Sequence, residues 1–270
     1  MSRIATTFAD LRARGEAALI PFFTAGDPDL ETTRALVRAA VEAGADAIEL
    51  GIPFSDPMAD GPVLQRAAQR ALAGGTTLVR VLELVADLRR DVAVPIVLFG
   101  YYNPFFRYGE ERIARDAACA GADGILCVDL PPEEATSFRA AATASGIDLI
   151  AMLAPTTPRA RARKIARHAT GFLYFVSVLG VTGARAELPP EIPTLVRAVR
   201  AVTDLPIGVG FGVQTPDQAA WIAGFADAVI IGSQIGRLVE EAGPGAVPAV
   251  AAFVREVRAA MSVATRARAG

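Results

Sequence analysis

Leu19-Ile-Pro-Phe-Phe-Thr24, a helical stretch over Leu30–Ala43, and then Ala47-Ile-Glu-Leu-Gly51 form the stretch that decides the fold. The two outer blocks are short and apolar, as strands buried on both faces are. The middle block is rich in Ala, Leu and Arg with a 3.6-residue period, the mark of an amphipathic helix. The same alternation continues along the chain. Further apolar runs occur at Pro95–Phe99, Gly124–Asp129, Asp148–Leu153, Gly171–Ser177, Pro206–Gly210 and Ala228–Gly232, with helical stretches such as Glu133–Ala144 between them. Eight strand–helix alternations in one chain predict a closed (β/α)8 TIM barrel. An open doubly wound sheet is the alternative. It would carry a GxGxxG turn after the first strand, where this sequence has Thr24-Ala-Gly-Asp-Pro28.

Two additions to the plain barrel are expected. The interval from Gly51 to Pro95 is the longest and has room for an additional helix after strand two. The two helices would be Pro62–Ala73 and Thr77–Arg90, parted by Gly74-Gly75. Ahead of the first strand, Ile4, Phe8 and Leu11 share one face of an extra N-terminal helix that could plug the barrel floor. No Pro/Ser-rich linker divides the chain, so residues 1–270 read as one domain, with a small, basic, frayed end.

Composition narrows the function classes. Of the 270 residues, 52% are hydrophobic and 21% charged, with a net charge of −2. That is ample core material and no basic stripe for a nucleic acid. The arginines of Arg159–Arg163 read as a solvated helix face. Cys119 and Cys127, with a single histidine in the chain, make no metal pattern and are expected as two reduced, packed thiols. His168 falls near a helix C-terminus, where it complements the dipole. Residues 1–15 lack the apolar core of a signal peptide, and no uncharged run reaches transmembrane length. A soluble, cytoplasmic protein is expected.

In such a barrel the chemistry sits at the C-terminal ends of the strands. Two carboxylates stand out between Asp46 and Pro62. Alternation puts Ala47 and Glu49 on one face of strand two and Ile48 and Leu50 on the other. Glu49 then points into the barrel mouth, where a carboxylate needs either an ion-pair partner or a task. Asp60, before Gly61-Pro62, reads equally well as a helix N-cap. Asp56 before Pro57 reads foremost as an Asx turn. Three glycine-bearing loops follow strands six, seven and eight: Gly180-Val-Thr-Gly183, Gly208-Val-Gly-Phe-Gly212 and Gly232-Ser233. Loops of this kind present backbone N–H groups and a helix N-terminus to a phosphate. With no metal or cofactor motif, acid–base work on a phosphorylated substrate is the expected chemistry.

Taken together, Pro21–Pro28, Glu49–Pro62, Gly180–Gly183 and Gly208–Gly212 resemble the tryptophan synthase α subunit family. The resemblance runs from the first strand to the last. It implies a lyase that splits indole-3-glycerol phosphate into indole and glyceraldehyde 3-phosphate. It implies that Glu49 is the acid–base residue at indole C3 and the glycerol hydroxyl. Asp60 would face the indole nitrogen, and Tyr174 would stand beside Glu49. Phe22, Tyr101, Leu126, Val128, Leu153 and Phe211 would line the indole pocket. Gly183, Gly212, Gly232 and Ser233 would hold the phosphate, and Thr182 would lie in a loop closing over Asp60. Pro53, Asp56, Pro57 and Asn103 would contact a β subunit that carries pyridoxal phosphate (PLP), in an α2β2 assembly. This chain would need neither PLP nor metal. Some members have an arginine where this sequence reads Ser177-Val-Leu-Gly180, so its phosphate would rely more on backbone donors.

Cleaving the C3–C3′ bond is a retro-aldol step, and an aromatic indole accepts electrons poorly. Protonating C3 gives an indolenine cation that accepts them, which calls for an acid over the ring and an anion near N1. A glutamic acid of raised pKa and an ionised aspartate meet those needs. Other readings of the residues remain: a sugar-phosphate isomerase or epimerase, a barrel kept only as a regulatory partner, and a stand-alone indole-releasing lyase. The aromatic lining counts against the first, and the presence of both carboxylates against the second.

Overall fold

The computed structural model describes residues 1–176, 188–210 and 212–269, with side chains up to residue 262. Eight strands close into a parallel barrel in sequence order: β1 Ala18–Thr24, β2 Ile48–Gly51, β3 Ile96–Gly100, β4 Gly124–Cys127, β5 Asp148–Leu153, β6 Leu173–Val176, β7 Ile207–Gly210 and β8 Ala228–Ile231. β1 pairs with both β2 and β8, which closes the sheet without an edge. The helices before β5 are α1 Arg3–Ala13, α2 Leu30–Glu42, α3 Pro62–Ala73, α4 Leu78–Leu88, α5 Tyr102–Tyr108, α6 Glu110–Ala120 and α7 Thr136–Ser145. After it come α8 Arg159–Ala166, α9 Ile192–Arg200, α10 Pro216–Ala223, α11 Ser233–Ala242 and α12 Ala246–Ala269.

The expected additions are present. α3 and α4 fill the long interval after β2, and Thr77 caps α4 by accepting the Arg80 N–H. α1 lies across the barrel floor: Ile4, Phe8 and Leu11 are buried in one cluster with the inward residues of the strands, and the Phe8 ring meets Phe172 at 5.7 Å. Each such side chain contributes about 1.5–3 kcal/mol by burial.

Some local boundaries differ from the sequence reading. α7 begins at Thr136 rather than Glu133, because Pro131-Pro132 and a turn precede it. A short helix, α5, follows β3 and breaks at Gly109, whose φ of 99° suits glycine. The last residues continue α12 to Ala269, where a frayed end was expected. Cys127 is buried, but Cys119 is exposed on α6 and is not packed.

Two hydrophobic layers result from the alternation of the strands. Ile48, Leu50, Leu98 and Ile125 point outward to the helices. Ala18, Ile20, Phe22, Ala47, Val97, Phe99, Leu126, Ile150, Tyr174 and Ile230 point inward. Ala47 lies in the inner layer, so Glu49, two residues on, shares its inward face.

Candidate active site

β2 carries Glu49 opposite Phe22 of β1 and Val97 of β3 in the strand register. Its side chain is fully buried, and neither carboxylate oxygen has a hydrogen-bond partner. Among the described residues no counter-charge offsets that burial, and desolvation pushes its pKa up to about 8. Glu49 is therefore protonated at neutral pH. Among the described residues, the structural ion pair that sequence reading left open is absent at Glu49.

Tyr174 stands on β6, fully inside the barrel. Burial and the nearby Glu49 and Asp60 carboxyls hold its phenol well above the usual range. Its hydroxyl occupies the place where a side chain at position 210 would begin: a Cβ on Gly210 would lie 2.1 Å away. Strand seven needs glycine there. The Phe99 ring bridges this group, 5.1 Å from Phe22 and 6.4 Å from Tyr174.

Asp60 arrives from the loop after β2. The helix that follows is capped by Gly61 with no side-chain cap bond, so Asp60 is not the N-cap. Its own N–H donates to the Pro57 carbonyl at 3.0 Å, and the Gln65 amide donates to its carbonyl at 2.9 Å. Asp60 is only 8% exposed and lines a cleft together with Tyr174. An ionised aspartate with an ordinary pKa would meet the need set out above. Instead burial raises its pKa to about 6, opposed by a hydrogen bond from Tyr101. It is still mostly ionised at pH 7.

The other end of the cleft is built of backbone. Gly212 has φ +88°, and Gly232 is the N-cap of α11, with Ser233 in its first turn. Asp60, Phe22, Leu64, Phe99, Tyr174, Gly212, Val213, Ile230, Gly232 and Ser233 line one cleft. None of these described residues is cationic.

Most of the expected pocket residues gather on this side. Phe22, Tyr101 and Leu126 are buried, and Val128 packs against the inner layer. Leu153 does not belong to it: it lies in the outer layer, and Met152 takes the inward position on β5. Phe99, Leu64 and Met152 were missed. Only Phe99 had a signal, its place two residues before Tyr101 in the same run. Phe211, Thr182 and Gly183 lie outside the described residues.

The residues expected to meet a partner are divided. Asp56 and Asn103 are exposed and Pro57 is half-buried, but Pro53 is buried, because it follows directly on the packed end of β2. Met58, at 81% exposure, and Phe106, at 62%, are the large apolar side chains on this surface, and sequence reading did not single them out. The Phe54 and Tyr101 rings, 5.5 Å apart, join this loop to the start of α5. Among the described residues there is no cluster of His, Cys, Asp and Glu able to hold a metal.

Comparison with known proteins gives this arrangement a family. The family model for the tryptophan synthase alpha chain matches residues 8–265. The tryptophan synthase alpha chain of Geobacter sulfurreducens is 54% identical over 240 residues, covering 89% of this chain and 91% of that one. That of Polynucleobacter asymbioticus is 48% identical over 263 residues, covering 97% and 99%. Among solved structures, tryptophan synthase subunit alpha from Legionella pneumophila superposes with a TM-score of 0.90 at 40% identity, covering 97% of this chain and 99% of that one. A Mycobacterium tuberculosis tryptophan synthase structure gives 0.90 at 39% identity, covering 96% and 98%. The chain belongs to the tryptophan synthase alpha chain family.

Proposed function

We propose that the chain cleaves indole-3-glycerol phosphate into indole and glyceraldehyde 3-phosphate, the lyase reaction of its family, with Glu49 as acid and base. One observation carries this assignment of roles: Glu49 is a fully buried carboxyl with both oxygens unpartnered and a pKa near 8, set on the inward face of β2 near Tyr174, which lines a cleft together with Asp60. Such a group holds a proton at neutral pH and can deliver it. Glu49 protonates indole C3. Ionised Asp60 stabilises the positive charge that develops at the N1–H. The C3–C3′ bond then breaks, its electrons restore the indole ring, and the C3′ hydroxyl passes its proton to the Glu49 carboxylate as the aldehyde forms. Tyr174 flanks Glu49, and Phe22, Tyr101, Phe99, Leu126, Val128 and Met152 enclose the ring.

Gly212, Gly232 and Ser233 take the phosphate through backbone N–H groups, joined by Gly183, while Thr182 and Phe211 complete the closed site. A PLP-bearing β subunit, in an α2β2 assembly, would cover the surface of Asp56, Pro57, Asn103, Met58 and Phe106. That Met58, in the loop that carries Asp60, and Phe106, on α5, are large apolar side chains left exposed supports such a partner. We read residues 1–270 as one barrel domain in the cytoplasm. Among the described residues, no helix is long and apolar enough to cross a membrane. The test is indole release from indole-3-glycerol phosphate, with and without added β subunit. Slow release that rises on addition is expected. No release under either condition overturns the assignment, and full activity alone overturns the need for the partner.

A further inference from the structure

Two helices begin at the cleft. α3 starts just after Asp60, and α11 starts at Gly232–Ser233. They pack closely near those ends: a Cβ on Gly236 would lie 3.2 Å from Val63 and 3.3 Å from Leu64. About one turn further along α11, a second attachment joins them. Glu240 of α11 accepts Nε and Nη2 of Arg66, each at 2.7 Å, and Nη1 of Arg70 at 2.8 Å. Arg70 also turns its remaining donors on Asp27, with Nε at 2.7 Å and Nη2 at 2.9 Å. Asp27 lies in the loop after β1 and is 4% exposed. That loop is itself pressed on the α3–α4 turn, since a Cβ on Gly26 would lie 2.0 Å from Thr76 Oγ1.

The four side chains carry two positive and two negative charges. The guanidinium of Arg70 is shared between two elements in a planar fork that lysine cannot reproduce. Surface ion pairs contribute little by themselves. This one differs because Asp27 is buried and because it ties α11 and the loop after β1 to α3 beyond the point where the two helices first touch. Two attachments fix a crossing angle, whereas one allows pivoting.

We infer that Arg70, held by Asp27 and Glu240, is a positioning residue that sets the distance between the Asp60 end and the phosphate end of the cleft. The inference rests on the proposed placement of phosphate at Gly212, Gly232 and Ser233. It touches neither substrate nor reacting atoms. Its effect is confined to ligands that span both ends, because only those experience the spacing.

The experiment compares three probes by calorimetry: indole, glycerol 3-phosphate, and a non-cleavable compound joining an indole ring to a phosphate through three carbons. Arg70→Lys and Glu240→Gln are the variants. Each should bind the two fragments as the wild type does and lose about tenfold in affinity for the joined compound. For indole-3-glycerol phosphate, KM should rise more than kcat falls. Equal binding of the joined compound overturns the inference, and so does a parallel loss for all three probes with a lowered Tm, which marks a structural role only. Gly232→Val is the control for the site itself. If glycerol 3-phosphate binds it normally, the phosphate placement fails, independently of Arg70.

Discussion

The hydroxyl of Tyr101, at the end of β3, holds the loop that carries Asp60: it accepts the Ala59 N–H at 3.0 Å and lies against the Asp60 carboxyl. One side chain thus fixes the backbone of the loop and lowers the cost of the charge on it. Tyr101→Phe removes both contacts. The Asp60 pKa, already raised to about 6 by burial, should move higher once the hydrogen bond that opposes the shift is lost. The acidic limb of the kcat/KM profile should move to higher pH, with a loss of about fivefold at pH 7, the size of one net hydrogen bond. An unmoved limb would show that Asp60 does not titrate in the productive form.

Glu49→Gln should abolish turnover while leaving binding of a non-cleavable substrate analogue intact. It should also change stability in a pH-dependent way. The folded pKa of Glu49 is about 8 against 4.5 for the free group, so the folded state binds the proton more tightly. Below pH 4.5 both states are protonated and nothing is lost. Between pH 4.5 and 8 the unfolded chain ionises first, and stability falls progressively. The glutamine variant escapes that loss. Its Tm should match the wild type near pH 4.5 and exceed it increasingly towards pH 8. Thermal melts across this range, together with turnover, check both halves. Near wild-type turnover would refute the mechanism.

Asp60→Asn separates charge from shape. As Gly61 is the cap of α3 and Asp60 makes no cap bond, asparagine removes no cap, and because burial raises the Asp60 pKa to about 6 the variant should melt no lower than the wild type at pH 7. It removes the anion at the indole nitrogen, and kcat should fall on the order of 10²-fold. Activity within a few-fold of the wild type would mean that the charge does no work in the transition state.

Gly212→Val tests the phosphate end. At φ +88° a β-branched residue is strained, at about 1–2 kcal/mol, and its side chain blocks approach to the N–H groups. A strong rise in KM with a modest drop in Tm is expected. Steady-state kinetics and a melt decide it, and an unchanged KM removes Gly212 from the phosphate site.

The sequence by itself determined the eight strands, the paired helices after β2, the plug helix and the inward direction of Glu49. All follow from short-range periodicity, which needs no knowledge of distant residues. Glu49 was legible because one carboxylate among aliphatics breaks the symmetry of its strand: Ile48 and Leu50 must take the other face. β5 offers no such break. Asp148-Leu-Ile-Ala-Met-Leu153 is apolar on both faces beyond its first residue, so alternation has no phase there, and only closure of the barrel placed Met152 inside and Leu153 outside. Asp60 failed locally for a related reason. Asp-Gly-Pro suits a cap, and only the packing of Tyr101 against the loop set Asp60 in the cleft instead. The clamp of Asp27, Arg66, Arg70 and Glu240 joins residues up to 213 positions apart (Asp27 to Glu240). No local pattern encodes such a pairing, because it exists only when the barrel brings α3, α11 and the loop after β1 together.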